Sequence, residues 1–290
     1  MLAWTRSKRG NSAKRAHWWF EKLKEEYRIK RDENLKPNTF AYNTLMRAYS
    51  QVHDPESVDK MLDELIDHEK QSRANIGPNT DSFALAIGAW TNFESYCVAE
   101  DAGQGYTRSF HWLNELILRE EKGYDGICTV PEVYNNVLKA ARNSKKKDMD
   151  VLNYGMKAFS KHDRSRHHLD WINYQWLLEV GLKVLSEEQN NVKRMDFLKN
   201  VSRKCCEDGL LARGVLQAIS NSSVYVDGWT FKRSQDAINM LFGEWPFPKS
   251  WSRNLKSQNH FPMNEDLIRK KQEVFGRGTN KNKNRIKYYD

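Results

Sequence analysis

An internal repeat is the feature of this chain that most restricts its fold. Three segments can be laid over one another, and a fourth is a weaker copy. Each has an aromatic residue in second place and small or aliphatic residues toward its end. A recurrence at roughly 40–50 residues is typical of stacked, similar supersecondary units. The aligned aromatic residues are Tyr42, Phe83, Tyr134 and Tyr174, separated by 41, 51 and 40 residues.

Each copy has the spacing of one face of an α-helix. The first places Tyr42, Leu45, Met46 and Tyr49 at positions i, i+3, i+4 and i+7, as on an amphipathic helix. A second run of apolar residues at helical spacing follows each copy, and strand-like alternation is nearly absent. The pattern predicts an all-α fold, a right-handed α-solenoid of about five to six antiparallel helical hairpins over residues 1–248.

The first hairpin is expected to be truncated. Residues 1–4 match only the end of the first-helix pattern, and residues 12–27 then have the pattern of a second helix. Tryptophans that sit among apolar neighbours are mostly expected in the core. They are Trp18, Trp19, Trp112, Trp171 and Trp176.

Two of the copies are preceded by the same short motif. Its copies are Leu35-Lys-Pro-Asn-Thr, which runs on to Tyr42-Asn-Thr-Leu-Met46, and Ile76-Gly-Pro-Asn79 followed by Thr80. Proline disfavours helix in the residue before it, and asparagine can cap the helix that follows. This motif closely resembles the junction of two pentatricopeptide repeats. The resemblance covers roughly residues 1–255, although the repeats are longer than is usual in that family because their loops are longer.

The resemblance implies a binding mechanism. In the family, the first helices line a groove along single-stranded RNA, and the fifth residue of a repeat acts with its last residue to read one base. Amide and carboxylate groups suit this work because they offer donors and acceptors to an unpaired base. Carried over to this chain, the RNA-binding residues are Asn43 with Asn79, Asn135 with Asp170, Gln175 without an assigned partner, and Phe40 as a stacking residue.

The repeats are not expected to bind equally. The Asn43 pair implies a preference for pyrimidines and the Asn135 pair a preference for uracil. The repeat between them offers Ala84 with Val130, which cannot hydrogen-bond through their side chains. Acidic residues at the stacking positions of the second and third repeats would repel phosphate. A simpler alternative is that Asn43 and Asn135 only cap helices.

Formal charge is distributed unevenly over the 290 residues, whose total is +9. The first 36 residues carry eleven basic and five acidic side chains, and residues 249–290 carry eleven and four. Residues 37–248 are slightly acidic, with 25 basic and 29 acidic side chains. Residues 249–290 are predicted to be a disordered basic tail that either contacts RNA without sequence preference or only improves solubility.

No motif predicts catalysis. Nucleotide-binding, zinc-peptidase and serine-hydrolase signatures are absent, and the four cysteines form neither C-x-x-C nor a zinc spacing. No enzymatic activity, cofactor, metal, small-molecule substrate or membrane association is therefore expected. The family implies single-stranded RNA binding in RNA processing, stability or translation within a mitochondrion or plastid. The alternative is a protein-binding scaffold, or a structural component of an organellar ribonucleoprotein.

Overall fold

The computed structural model describes residues 11–71, 76–165, 167–186, 191–220, 225–226 and 229–230. The predicted tail at 249–290 and the residues 1–4 assigned to a truncated hairpin lie outside these residues. The described elements are α1 (Ser12–Lys30), a 3₁₀ turn (Glu33–Leu35), α2 (Thr39–Gln51), α3 (Pro55–Gln71), α4 (Thr80–Tyr96), α5 (Gln104–Glu121), α6 (Pro131–Asn143), α7 (Met149–Asp163), α8 (Trp171–Val184), α9 (Asn191–Glu207), α10 (Arg213–Ser220), β1 (Tyr225–Val226) and β2 (Trp229–Thr230).

Helix packing within the first compact unit, which ends at Arg194, repeats along the chain. Three helices, α2, α4 and α6, each contact the helix that follows and the helix two places on, and α8 closes the series. The first helices α2, α4, α6 and α8 therefore lie side by side. The helices α3, α5 and α7 pack against α2, α4 and α6 respectively, and α7 also packs against α8. This packing confirms the prediction of an all-helical, repeat-like fold.

The aligned aromatic residues occupy equivalent places. Each is the fourth residue of a first helix and is buried. Each ring also contacts an aromatic ring of a second helix: Phe20 on α1, Trp112 on α5, His162 on α7 and Phe159 on α7 are the partners in chain order. Two of these partners lie on the following helix and two on the preceding one, so the repeated aromatic residue packs each first helix on a neighbouring second helix.

Two predicted core tryptophans are exposed instead. Trp112 is buried, but Trp18 and Trp19 are 53% and 49% exposed. Because α1 packs on α2 and the 3₁₀ turn through one side, which carries Ala16 and Phe20, the indoles fall on its other sides. The expectation of a core position was therefore wrong for these two residues.

Two buried carboxylates bind α3, α4 and α5 together. Asp59 of α3 accepts hydrogen bonds from the indole nitrogens of Trp90 at 2.8 Å and Trp112 at 2.6 Å, and it also pairs with Arg108. Glu94 of α4 accepts from the backbone N–H groups of Gly103 and Gly105, both at 2.8 Å. The second set satisfies amide groups at the start of α5, where the helix has no side-chain cap.

A buried histidine without a partner lies in the third hairpin. His162 of α7 is 1% exposed and stacks on Tyr134, with ring centroids 4.6 Å apart. Neither ring nitrogen has a hydrogen-bond partner among the described residues. Burial, helped by the neighbouring His167 and opposed by Asp163, lowers the pKa of His162 to about 4. His162 is therefore neutral in the folded protein at pH 7.

Acid is expected to destabilise the wild-type protein more than a His162→Phe variant. The pKa lies below the unfolded value, so stability is complete above about pH 6.5 and is lost as pH falls toward 4, because only the unfolded chain takes up the proton. Between about pH 7 and pH 5, urea unfolding should show about 1–2 kcal/mol more loss in the wild type. Equal losses in both proteins would contradict the assignment.

The second compact unit begins at Met195. Within it, α9 and α10 bury an apolar set that includes Leu198, Cys205, Leu211 and Val215. β1 and β2 form a short antiparallel pair. Burial raises the pKa of Cys206 to about 12 and that of Cys205 further, so both thiols are protonated at pH 7. No helix within the described ranges has the length and apolar character needed to cross a membrane.

Candidate nucleic-acid interface

The N-terminal ends of the first helices share one edge of the first unit. Each linker that leads into a first helix lies against the start of the preceding one. The Thr39 hydroxyl donates to the carbonyl of Gly77 at 2.8 Å, and the Thr80 hydroxyl donates to the carbonyl of Cys128 at 2.8 Å. The pattern recurs at α6, where the His167 ring contacts the Thr129 carbonyl at 2.6 Å. These contacts line up the helix starts that carry the predicted RNA-binding residues.

The first predicted pair meets directly. Asn43 on α2 donates from Nδ2 to Oδ1 of Asn79 at 3.1 Å. The Ser82 hydroxyl then donates to Oδ1 of Asn43 at 2.7 Å. Asn79 caps α4 by accepting from the backbone N–H of Ser82, which completes a capping box. Three polar side chains therefore connect α2 to the start of α4.

The second predicted pair is joined through one residue. Asp170 caps α8 in a capping box with Asn173, whose Nδ2 donates to Oδ1 of Asn135 on α6. Asn135 and Asp170 thus both contact Asn173, as Asn43 and Asn79 both contact Ser82. The arrangement at the first junction is repeated two repeats further along, between α6 and α8.

Helix capping was the alternative role considered for Asn43 and Asn135, but other residues perform it. Asn43 and Asn135 lie inside their helices, at the fifth position, and do not cap them. Their pair partners Asn79 and Asp170 are the caps. Sequence reasoning missed Ser82, which bridges the first pair, and its counterpart at the second. Both stand three residues after the capping residue, a spacing that marks a capping box and could have identified them.

The unused hydrogen-bonding groups differ between the two junctions. At the first, both carbonyl oxygens are engaged, which leaves N–H donors on Asn43 and Asn79. At the second, the Asn135 amide N–H groups and Oδ2 of Asp170 make no hydrogen bond within the described residues. Asn43 is only 8% exposed, so Asn79 is the more accessible donor. The first junction offers donors, whereas the second offers a donor beside an acceptor.

The remaining candidates, Phe40 and Gln175, differ in whether the side chain is held by a neighbour. Phe40, the second residue of α2, is 62% exposed and free to stack. Gln175 on α8 donates to Glu179 at 2.8 Å, and Glu179 pairs with Arg142. Gln175 is therefore held by its own helix. No structural contact connects it to a capping residue in the part of the chain described.

Exposed acidic side chains lie on this edge. Asp81 and Glu132, the expected repellers of phosphate, are exposed. Lys183 lies at the opposite, C-terminal end of α8, where its Nζ donates to the carbonyls of Ala141, Arg142 and Ser144 at 2.8–3.0 Å and caps the end of α6. Burial lowers the pKa of Lys183 to about 8. This edge therefore presents hydrogen-bonding groups and an exposed aromatic ring rather than a field of positive charge.

The edge also holds an exposed thiol. Cys128 is exposed and lies beside Thr80, while Cys97, Cys205 and Cys206 are buried. Among the described residues, no group of three or more His, Cys, Asp or Glu side chains gathers in a way that would hold a metal ion.

No family model, curated protein or solved structure matches this chain. The resemblance to pentatricopeptide repeats therefore rests on the junction residues and on the repeated aromatic position.

Proposed function

We propose that this protein binds single-stranded RNA along the N-terminal ends of α2, α4, α6 and α8, as a non-catalytic member of the pentatricopeptide repeat family whose hairpins stack as a right-handed solenoid. The observation that supports this most strongly is the repeated geometry of the two predicted pairs. Asn43 with Asn79 and Asn135 with Asp170 each converge on one polar residue of the next first helix. The repeat between them offers Ala84 and Val130 and reads no base.

Base preference follows from the groups left unused. Donors at the first junction suit an edge that presents acceptors, such as O2 and N3 of cytosine or the carbonyls of uracil. The donor and acceptor at the second junction suit uracil, whose N3–H lies beside a carbonyl. Phe40 supplies a ring on which a base stacks. From the family resemblance we infer that the protein acts on RNA in a mitochondrion or plastid.

A protein-binding scaffold is the second candidate, and the acidity of α3 favours it. That helix has six acidic and two basic residues, and Asp63 and Asp67 are exposed on it. Such a surface suits a basic protein partner. RNA affinity separates the candidates, since a scaffold of this kind has no reason to bind single strands at low salt.

Phe40→Ala is expected to weaken binding of pyrimidine-rich RNA roughly tenfold, because each base–aromatic stack contributes about 1–3 kcal/mol. Tyr96→Ala is the matched control: Tyr96 is 69% exposed but lies at the opposite end of α4. Fluorescence polarisation across a salt series measures both. Equal RNA affinities of wild type and Phe40→Ala would show that Phe40 does not stack on a base. Undetectable wild-type binding at low salt would show that the protein does not bind single-stranded RNA.

Alkylation of the exposed Cys128 thiol is an independent test of RNA binding at the same surface. RNA bound along the helix starts should slow alkylation of Cys128 by a maleimide, while urea-unfolded protein should react at all four cysteines regardless of RNA.

Asn43→Ala with Asn79→Ala tests base reading, but Asn79 also caps α4, where loss of a cap costs about 1 kcal/mol. Its RNA affinity is therefore interpreted only alongside its urea unfolding curve.

A further inference from the structure

The outer side of α1 carries two adjacent indoles that the junction site does not use. Trp18 and Trp19 are each about half exposed and pack edge to face, with ring centroids 4.8 Å apart. Tryptophan is well buried in most folded proteins. The helix is already anchored through the opposite side, where Phe20 meets Tyr42. The indoles are therefore not needed to attach α1 to its neighbour.

Positive charge surrounds these indoles. No acidic residue occurs between Ser12 and Phe20, and the Nζ of Lys22 lies 5.8 Å from the centre of a Trp18 ring. The acidic residues further along α1 are all engaged by basic residues: Glu21 by Lys24, Glu25 by Arg28 and Glu26 by Lys30. Lys14 and Lys22 are exposed and form no ion pair within the described residues. The surface around the tryptophans thus has a surplus of unpaired cations.

We propose that this side of α1 is a second contact for single-stranded RNA, on which bases stack against Trp18 and Trp19 while Lys14 and Lys22 meet the phosphates. Stacking on aromatic rings flanked by cations is a sequence-tolerant way to hold a single strand. The inference extends the proposed function, but it does not require the junction residues to read bases. It would lengthen the bound strand beyond the repeats.

The chemistry of the surface favours RNA over other occupants. A helix that lies in a membrane surface buries a continuous apolar stripe, whereas Leu23 is half-buried against the protein and Ile29 is the one exposed aliphatic residue of α1. The buried centres of protein–protein interfaces are depleted in lysine, yet here Lys22 lies directly over an indole. In single-stranded RNA, the bases can stack on the indoles and the phosphates can meet the lysines beside them.

Trp18→Ala with Trp19→Ala is expected to weaken binding of a random single-stranded RNA of about 20 nucleotides at least tenfold. Its circular dichroism and urea midpoint should stay near wild type, since both indoles are about half exposed and α1 is anchored through Phe20 on its other side. Tyr96→Ala again serves as the exposed-aromatic control. Lys14→Gln with Lys22→Gln should reduce the slope of log affinity against log salt by about 1.4, as two phosphate contacts are lost from a single strand.

The outcomes separate this inference from the junction site. Wild-type affinity in the tryptophan variant overturns the second contact, and it leaves the proposed function intact if Phe40→Ala still weakens binding. A tenfold loss in the tryptophan variant with no effect of Phe40→Ala supports the second contact and counts against the junction. Binding of wild type to anionic lipid vesicles that the tryptophan variant loses, with RNA affinity unchanged, assigns α1 to a membrane and overturns it.

Discussion

Asp59→Ala is expected to lower the free energy of unfolding by about 3–5 kcal/mol, because two buried indole N–H groups would lose their acceptor at about 1–3 kcal/mol each and the partly exposed Arg108 would lose its ion-pair partner. Asp59 is 5% exposed and receives four hydrogen bonds, from Trp90, Trp112 and two nitrogens of Arg108. Alanine would leave two indole N–H groups and a guanidinium without an acceptor. The guanidinium also lies over both indole rings, so α3, α4 and α5 should loosen together.

Two further variants make this prediction specific. Asp59→Asn keeps an oxygen for the indoles but removes the charge that balances Arg108, so its loss should be smaller than that of Asp59→Ala. Asp67→Ala is the control on the same helix, because its carboxylate is exposed and, among the described residues, pairs with exposed Lys70 alone; its effect should stay within about 0.5 kcal/mol. Urea denaturation followed by circular dichroism gives all three. Similar values for Asp59→Ala and Asp67→Ala would show that the buried network contributes little.

Gly105→Ala is expected to destabilise the protein by at least about 3 kcal/mol, although alanine is normally the better residue inside a helix. An added Cβ at Gly105 would lie 2.5 Å from Cβ of Glu94 and 2.6 Å from the backbone oxygen of Trp90. The backbone oxygen cannot turn away. To make room, α4 and α5 must separate, and the Glu94 carboxylate must leave the amide groups that it binds.

Gly88→Ala is the matched control and should act in the opposite direction. Gly88 lies inside α4, and an added Cβ would meet only Nδ2 of Asn136, at 3.9 Å. Alanine should therefore stabilise by about 0.5–1 kcal/mol through its higher helix propensity. Thermal and urea unfolding of both variants test the pair. Equal shifts in the same direction would contradict the close contact between α4 and α5.

Much of the fold was predictable because it is encoded locally. The spacing of Tyr42, Leu45 and Met46 belongs to one helix face, and all three are buried. The motif that ends in Asn79 predicted a helix start, and the structure begins α4 at Thr80 with Asn79 as its cap. Both features depend on residues within one or two helical turns, so a single sequence is enough to show them.

The candidate site was predictable by position but not by contact. The resemblance to pentatricopeptide repeats placed Asn43 and Asn79 in one pair, and the structure joins them at 3.1 Å. The bridging role of Ser82 and the attachment of Gln175 to Glu179 were not foreseen. The role of Ser82 depends on a neighbour from another helix, which one segment of sequence does not specify. Gln175 and Glu179 stand at i and i+4 on α8, a spacing that could have indicated their contact.

The sequence by itself determined where the helices begin, which face of each is apolar, and that similar units recur, since these follow from backbone capping and from periodicity over a few turns. Only the tertiary structure decided that Asp59 lies between Trp90 and Arg108, that Gly105 lies against α4, and that Trp18 and Trp19 remain exposed. The first two are contacts between residues that are far apart in the chain, and the third follows from which side of α1 packs on α2. They depend on how neighbouring helices pack sideways, which the order of residues along one helix does not fix.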